Sequence, residues 1–582
     1  MSTLDWLLLG GSLVFITLYG IWRGRGSRDL DGYLLADRTL PWTNIAFAIM
    51  ATQASAITFL STPGQAYVDG MRFVQFYFGL PLAMVVLCVT AVPIYRRLKV
   101  FTAYEYLEGR FDAKTRTLAA ILFLIQRGLA AGLTIYAPAI ILSVLLGWNL
   151  HVTSVLLGGL VVIYTTTGGT KAVNHTQYQQ LLLMMGGLAM AIVLVVLALP
   201  RGVSLGDALH VAGSLGRVRA IDTSFDPENR YTLWSGLIGG LFLALSYFGT
   251  DQSQVGRYLG GQSVGQTRFG LLFNGLAKIP MQLLILFVGV MVFVFFQFNP
   301  PPVFFNPVEL EKVRSGPHAA EFATIEADHM RAFETRRARA RALVAARHAG
   351  DIAQESLART QLGAAQEDFQ ATRGRAVDLI QRTDPTAQTS DTNYIFLSFV
   401  LRQFPAGLIG IMLAAIIAAS MSSTSAELNA LASTTVVDVW KRWFTRGAEA
   451  NPHHEVVVGR FATAFWGLFA VGFAEFANRL GSLIEAVNIL GSLFYGTILG
   501  IFLTGFYVKR VGGTPVFLGA LIAEAAVIAC FKLTKISFLW YNVIGCVLVV
   551  GIAVVLSFVW PARRDGGKQA VSIGGDTSFV PH

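Results

Sequence analysis

The chain has 582 residues; 54% belong to the apolar AVILMFWYC set, 58 are Gly, and only 14% are charged. Soluble domains carry about 25% charged residues, so this chain must place much of its exterior in lipid, which excludes a string of soluble domains, disorder, collagen and a disulfide scaffold. The net charge of +10 comes from short Lys and Arg clusters between apolar runs, a topology signal and not a nucleic-acid surface.

Runs long enough to cross about 30 Å of hydrocarbon begin at Trp6, Asn44, Phe73, Thr117, Thr153, Gln180, Trp234, Leu271, Pro405, Val456, Leu483, Val516 and Phe538. The predicted fold class is an all-α polytopic membrane protein of about thirteen transmembrane helices. Asp5 precedes the first run and Arg23, Arg25 and Arg28 follow it, the reverse of a cleavable signal, so it reads as a retained anchor. Basic residues then recur in alternate loops: Arg96-Arg-Leu-Lys99 to Arg116, Lys171, Arg257 to Arg268, Lys441 to Arg446, Lys509-Arg510 and Arg563-Arg564. The intervening loops, around Asp69, Trp148, Asn478 and Thr534, carry few. By the positive-inside rule the N-terminus is outside and the C-terminus cytoplasmic, with the chain multi-pass in the plasma (inner) membrane.

Residues 299–392 do not belong to the bilayer. The stretch opens with Pro300-Pro-Pro302 and continues in strong helix formers broken at Gly350, which predicts an extracytoplasmic helical hairpin. It is read as a solvated excursion, with a docking arm or gating cap as alternatives. The chain thus divides into a membrane domain in two parts, 1–298 and 393–562, the insert 299–392, and a short cytoplasmic tail 563–582.

Function in such a chain is sought where polarity is costly. Span two carries Ala51-Thr-Gln-Ala-Ser-Ala-Ile-Thr-Phe59, and the nearby Pro63-Gly64 loosens its backbone. Broken membrane helices expose carbonyl oxygens that ligate cations. Span nine carries Ala418-Ala-Ser-Met-Ser-Ser-Thr-Ser-Ala-Glu427, with Ala419, Ser422 and Ser423 spaced i, i+3, i+4 on one face. These oxygens suit a weakly held monovalent ion, and the small residues equally suit close helix packing. Span seven carries Ser246-Tyr-Phe-Gly-Thr-Asp-Gln-Ser-Gln254 with Gly249 as a candidate break; Asp251 and Arg257 are either functional or simply the cytoplasmic helix end. Lys278 in span eight either contacts a substrate or snorkels to the interface. Breaks in spans two and seven match two five-helix repeats, spans two to six and seven to eleven, which points to a secondary transporter. The absence of a Walker A sequence argues against an ATP-driven pump.

The motifs Ala51-Thr-Gln-Ala-Ser-Ala, Thr62-Pro-Gly-Gln-Ala-Tyr67, Thr102-Ala-Tyr-Glu-Tyr-Leu-Glu-Gly-Arg-Phe111, Gly168-Gly-Thr-Lys-Ala-Val173, Thr250-Asp-Gln, Gly256-Arg-Tyr-Leu259 and the serine-rich span nine ending Val437-Asp438 together resemble the sodium:solute symporter family. The resemblance implies a LeuT-type 5+5 inverted repeat and Na+ as coupling ion. It implies sodium ligation by the carbonyls of Ala51, Ala54 and Ala419 and the hydroxyls of Ser422 and Ser423. It also places sugar-binding positions on Gln53, Tyr77 and Lys278, and a covering aromatic on Tyr247. Gln75 and Asn488 are further polar candidates.

Departures from the family pattern narrow this. His175-Thr-Gln177 stands where relatives often carry Trp-Thr-Asp, so a carboxylate linked to a second sodium site in some relatives is missing and one-to-one coupling is favoured. Tyr77 and Ala244 replace acidic and asparagine positions of galactose-transporting relatives. The expected function is sodium-coupled import of a small organic solute (sugar, polyol, sialic acid or carboxylate) by alternating access. The alternative is a membrane-embedded solute sensor on a transporter fold. No enzyme activity is expected, since the histidines lack evident nucleophile or metal-ligand partners. The expected partners are the solute and the lipid bilayer, with no nucleic acid and the monomer as functional unit.

Overall fold

The structure, a computed structural model, describes residues 1–24, 41–444 and 452–561. The basic residues Arg25, Arg28, Arg38, Arg446, Arg563 and Arg564 and the tail 563–582 lie outside the described residues, as does the side chain of Lys171. Among the described residues the elements are helices, with a single isolated bridge between Val511 and Pro561.

Among the described residues ten helices are long and apolar enough to cross a membrane, and two shorter apolar ones, Leu150–Ile163 and Ser235–Gly249, add to them. This tally does not confirm the exact count of thirteen spans. One reason is that breaks cut spans short: the second is split into Trp42–Gln53 and Ala56–Asp69. Another is fusion, because the runs begun at Thr153 and Gln180 lie in one helical element, Leu150–Leu197.

The break in span two falls at Ala54 and Ser55, not at Pro63-Gly64. Ala54 ends the first half at φ −89°, ψ 71°, with its N–H on the Met50 carbonyl (2.8 Å), and Ser55 is extended. Pro63 is carried inside Ala56–Asp69 without ending it. Gly64 serves a different purpose: a Cβ there would lie 1.9 Å from the Thr392 carbonyl oxygen, so only a bare backbone lets these segments meet.

The second break follows Gly240–Gly249 directly. Thr250 leaves helical geometry, and Asp251, extended, caps Gln252–Leu259 by accepting the Ser253 N–H. Carbonyls near the break are taken up by tyrosines from other segments, with Tyr95 Oη donating to Gly249 (2.7 Å) and Tyr104 Oη to Thr250 (2.9 Å). This is how irregular backbone survives at membrane depth: protein groups replace the hydrogen bonds that lipid cannot supply.

Burial ranks the helices. In Leu408–Trp443, 89% of the most apolar stretch lies inside the protein, against 22% for Thr3–Gly20 and 33% for Gly513–Leu533 and Phe538–Val559. The serine-rich helix Leu408–Thr434 is thus central. Its N-terminus is capped from the first helix: Asp5 Oδ1 accepts the N–H groups of Gly407 (2.7 Å) and Gly410 (3.0 Å). A carboxylate at a helix N-terminus is favourable both as hydrogen-bond partner and against the helix dipole.

Within the insert, Ala319–Ala349 and Ile352–Thr383 form a hairpin around Gly350, at φ +67°. It docks on the end of Val264–Phe298, where the fully buried Arg336 donates to the Phe296 carbonyl (2.6 Å) with its guanidinium 3.6 Å from the Phe369 ring centre. Its far end reaches Leu205–Ser214 through His348 on Asp207 (3.0 Å) and Arg347 on the Gly206 carbonyl (2.9 Å).

Candidate functional site

The break in span two faces the serine-rich helix. Ser422 Oγ donates to the Ala51 carbonyl (3.2 Å) and Ser423 Oγ to the Thr52 carbonyl (2.9 Å). Ala51, Ala54 and Ala419 are fully buried here. Ala419 lies inside Leu408–Thr434, so its carbonyl also belongs to that helix's own ladder. Gln177 completes the cluster, with Nε2 on Thr52 Oγ1 (3.0 Å) and the Ser422 carbonyl (3.4 Å). The groups gathered are uncharged oxygens, joined by one amide.

Beside this cluster opens a cavity of about 110 Å³. Gln53, Tyr77, Tyr247 and Asn488 line it, with Ser55, Thr58 and Ser423. Gln53 Oε1 is buried without a hydrogen-bond partner. Tyr247 accepts from Gln254 Nε2 (2.7 Å) and packs beside Tyr495, while Asn488 Nδ2 bonds back to Ile484 (2.7 Å).

Two of the expected substrate residues sit elsewhere. Gln75 uses its amide to staple backbone, donating to the Tyr231 carbonyl (2.9 Å) and accepting from the Asp222 N–H (2.9 Å), and is not among the cavity's lining residues. Lys278 does not snorkel. It is fully buried with no hydrogen-bond partner for Nζ, 5.5 Å from the Tyr77 ring centre and therefore behind the lining.

An ion cluster that was not among the expected site residues lies in the cavity wall. Arg127 pairs with Asp251, donates to Glu427 Oε1 (3.0 Å) and to Tyr495 Oη (2.6 Å), and stacks at 5.5 Å over Tyr247. Tyr495 Oη in turn donates to Asp251 Oδ2 (2.9 Å). Arg127 Nε has no partner. The signal was present, since Gln126-Arg127 lies well inside the apolar run begun at Thr117, where an arginine is costly and marks a pathway.

Polar contacts also tie the elements around the cavity to one another. Gln65 Nε2 reaches Glu485 (3.2 Å), Arg230 pairs with the same carboxylate, and the Ile484 N–H donates to Ser61 Oγ (3.2 Å). Gln252 binds the Ala103 N–H (3.1 Å) and the Phe101 carbonyl (2.9 Å), and Arg116 Nε donates to Asp438 (2.8 Å). A polar cavity beside two broken helices is the architecture of a secondary transporter.

Comparison with known proteins places the chain. The model of the sodium:solute symporter family matches residues 33–323 and 378–523, and the chain belongs to that family. The chain is accordingly a multi-pass member of a family of sodium:solute symporters.

A sodium-dependent multivitamin transporter from Oryctolagus cuniculus is 26% identical over 514 residues, 87% of this chain and 66% of the relative, just under two thirds of its length. Sodium-coupled monocarboxylate transporter 1 from Homo sapiens is 25% identical over 524 residues, 90% of this chain and 72% of the relative. The sodium/sialic acid symporter SiaT from Proteus mirabilis (strain HI4320) is 24% identical over 562 residues, covering 94% and 93%. A solved structure of a Na+-coupled sialic acid symporter, substrate-bound and outward-open, superimposes with a TM-score of 0.74 at 22% identity, covering 97% of this chain and 99% of that one, and shows that the two share a fold. The expected LeuT-type architecture stands on that likeness.

Proposed function

We propose that the chain imports a small organic anion bearing a carboxylate, driven by sodium held between the broken span two and the serine-rich helix. The ion's ligands are the carbonyls of Ala51, Ala54 and Ala419 and the hydroxyls of Ser422 and Ser423, with the Thr52 carbonyl as an addition the sequence did not suggest. The observation that carries this is the pair of serine hydroxyls already within 3.2 Å and 2.9 Å of carbonyls beside the break. A set of neutral hard oxygens suits an exchangeable monovalent cation, and a single added charge needs no carboxylate cage.

On the solute side, the free Arg127 Nε–H is a charge-assisted donor for a carboxylate. Gln53 Oε1 and Asn488 serve its hydroxyl or amide groups, and Tyr77 and Tyr247 pack its apolar faces. Relatives named for monocarboxylates and for sialic acid support the anionic class. Lys278 lies behind Tyr77, without direct contact in this arrangement. The membrane potential assists the entry of each net positive charge by about 2.3 kcal/mol per 100 mV. The N-terminus faces outward, the insert is extracytoplasmic and the C-terminus cytoplasmic.

The test is uptake into proteoliposomes of labelled lactate, pyruvate and sialic acid, with sodium replaced by choline. Uptake is expected to require sodium, and Ser423→Ala to raise the sodium concentration needed by about tenfold, equivalent to about 1.4 kcal/mol of lost ligation. Undiminished uptake in choline ends the reading.

A further inference from the structure

Among the residues lining the central cavity, Gln53, Gln126 and Arg127 each hold a buried polar atom that meets no partner: Gln53 Oε1, Gln126 Oε1 and Arg127 Nε. Gln126, 1% exposed, lies beside Arg127 in the helix Ala113–Leu146. Tyr495 fixes the direction of its amide. The Tyr495 hydroxyl has one hydrogen and donates it to Asp251 Oδ2 (2.9 Å), so its oxygen can only accept, from Arg127 (2.6 Å) and from Gln126 Nε2 (3.5 Å). The free end of Gln126 is therefore its oxygen. Glu427, also in the wall, is occupied by Arg127 at Oε1 (3.0 Å) and bonds Thr134. The wall thus offers one charged N–H and two neutral amide oxygens to whatever fills the cavity.

A buried amide oxygen that meets no hydrogen is costly, and water meets that need only until a solute displaces it. The solute must then bring hydrogens of its own for Gln53 and Gln126. A neutral amide oxygen accepts from a hydroxyl and is repelled by the lone pairs of a ketone. Gln126 is the sequence neighbour of the arginine read above as the carboxylate's partner, so the hydrogen it accepts sits close to that carboxylate on the solute. We propose that Gln126 is a specificity-determining residue and that the cargo is a hydroxycarboxylate, whose hydroxyl, on the carbon next to the carboxylate or the one beyond, donates to Gln126 Oε1. Oxo acids and unsubstituted fatty acids leave that oxygen stranded and are selected against. The inference rests on the carboxylate reading of Arg127 and goes beyond it, because a carboxylate alone satisfies the arginine and neither glutamine.

The experiment measures thermal stabilisation of the full chain in nanodiscs, in sodium and in choline, by matched acids: lactate against propionate and pyruvate, and 3-hydroxybutyrate against butyrate. In sodium, the wild type is expected to bind a hydroxy acid about tenfold or more tightly than its partners in the same set, since a site that hydrogen-bonds a hydroxyl rejects the analogue lacking it. Gln126→Met, which keeps the bulk and removes the amide, is expected to bring that ratio to about one, and stabilisation by sodium alone reports that the variant folds. Should it not fold, the wild-type ratios decide the solute class. Equal affinities within both sets overturn the inference and leave the carboxylate reading of Arg127 standing. A hydroxyl preference unchanged in folded Gln126→Met overturns the assignment to Gln126. No stabilisation by any of the acids in sodium overturns the carboxylate reading and this inference with it.

Discussion

Arg127 is almost wholly buried between two carboxylates, so its removal is dominated by what it leaves behind. Arg127→Met strands Asp251 and Glu427 without their cation in a site at membrane depth. The expected loss is about 3–5 kcal/mol, read as a large drop in unfolding temperature in detergent. Glu427→Gln is expected to cost far less, because Asp251 and Tyr495 still hold the guanidinium. Equal losses in the two variants would refute the assignment of Arg127 as the hub. Gly64 gives a second test at this scale: Gly64→Ala pushes a methyl into the Thr392 carbonyl and is expected to destabilise by about 1–3 kcal/mol, whereas Gly363→Ala, inside a helix with open space around its Cβ position, is expected to stabilise by about 0.5–1 kcal/mol.

Among the elements, the insert hairpin carries its own pH response. Burial pushes the His329 imidazole down to about 4 from 6.5, helped by the charges of Arg336 and Arg373. Between those values the unfolded segment binds a proton that the folded one refuses. The hairpin's stability is therefore complete above about pH 6.5 and declines as the pH falls toward about 4, by up to roughly 3 kcal/mol. Asp328, held below the usual carboxylate range by Arg331 and Arg375, and Asp384, held down by Thr386, titrate beneath this window. Protease susceptibility of the hairpin is expected to rise between neutral pH and about pH 4.5, and His329→Gln to flatten that rise. The bridge between Ala56–Asp69 and Leu483–Tyr507 is the other testable element. Glu485→Gln removes the carboxylate shared by Gln65 and Arg230 and is expected to raise maleimide labelling of a cysteine placed at Ser55. Unchanged labelling would show that this bridge does not gate the cavity.

For the molecule as a whole, the proposed orientation predicts that trypsin added to the outside of cells cuts within the arginine-rich hairpin while a C-terminal tag stays protected. The reverse pattern would invert the topology. Sodium should also stabilise the intact protein and solute should stabilise it further in sodium than in choline, since ligands of the same state reinforce each other.

The apolar runs, the polar interruptions and the five-span offset between them were legible in the sequence because a bilayer makes polarity expensive and punishes it locally, residue by residue. So was the shared face of Ala419, Ser422 and Ser423, fixed by their spacing along one helix, while the carbonyls of Ala51 and Ala54 followed only from the family resemblance. The structure alone revealed that span two breaks at Ala54 and Ser55 while Pro63 is tolerated, that Gln75 is tied to backbone at Asp222 and Tyr231, and that Arg127, Asp251 and Glu427 meet. The physical reason is distance along the chain. Hydropathy and helical period are properties of neighbours within a few turns, whereas a charge's partner, a carbonyl's acceptor and a cavity's wall are supplied by segments hundreds of residues away, which only the packed fold brings together.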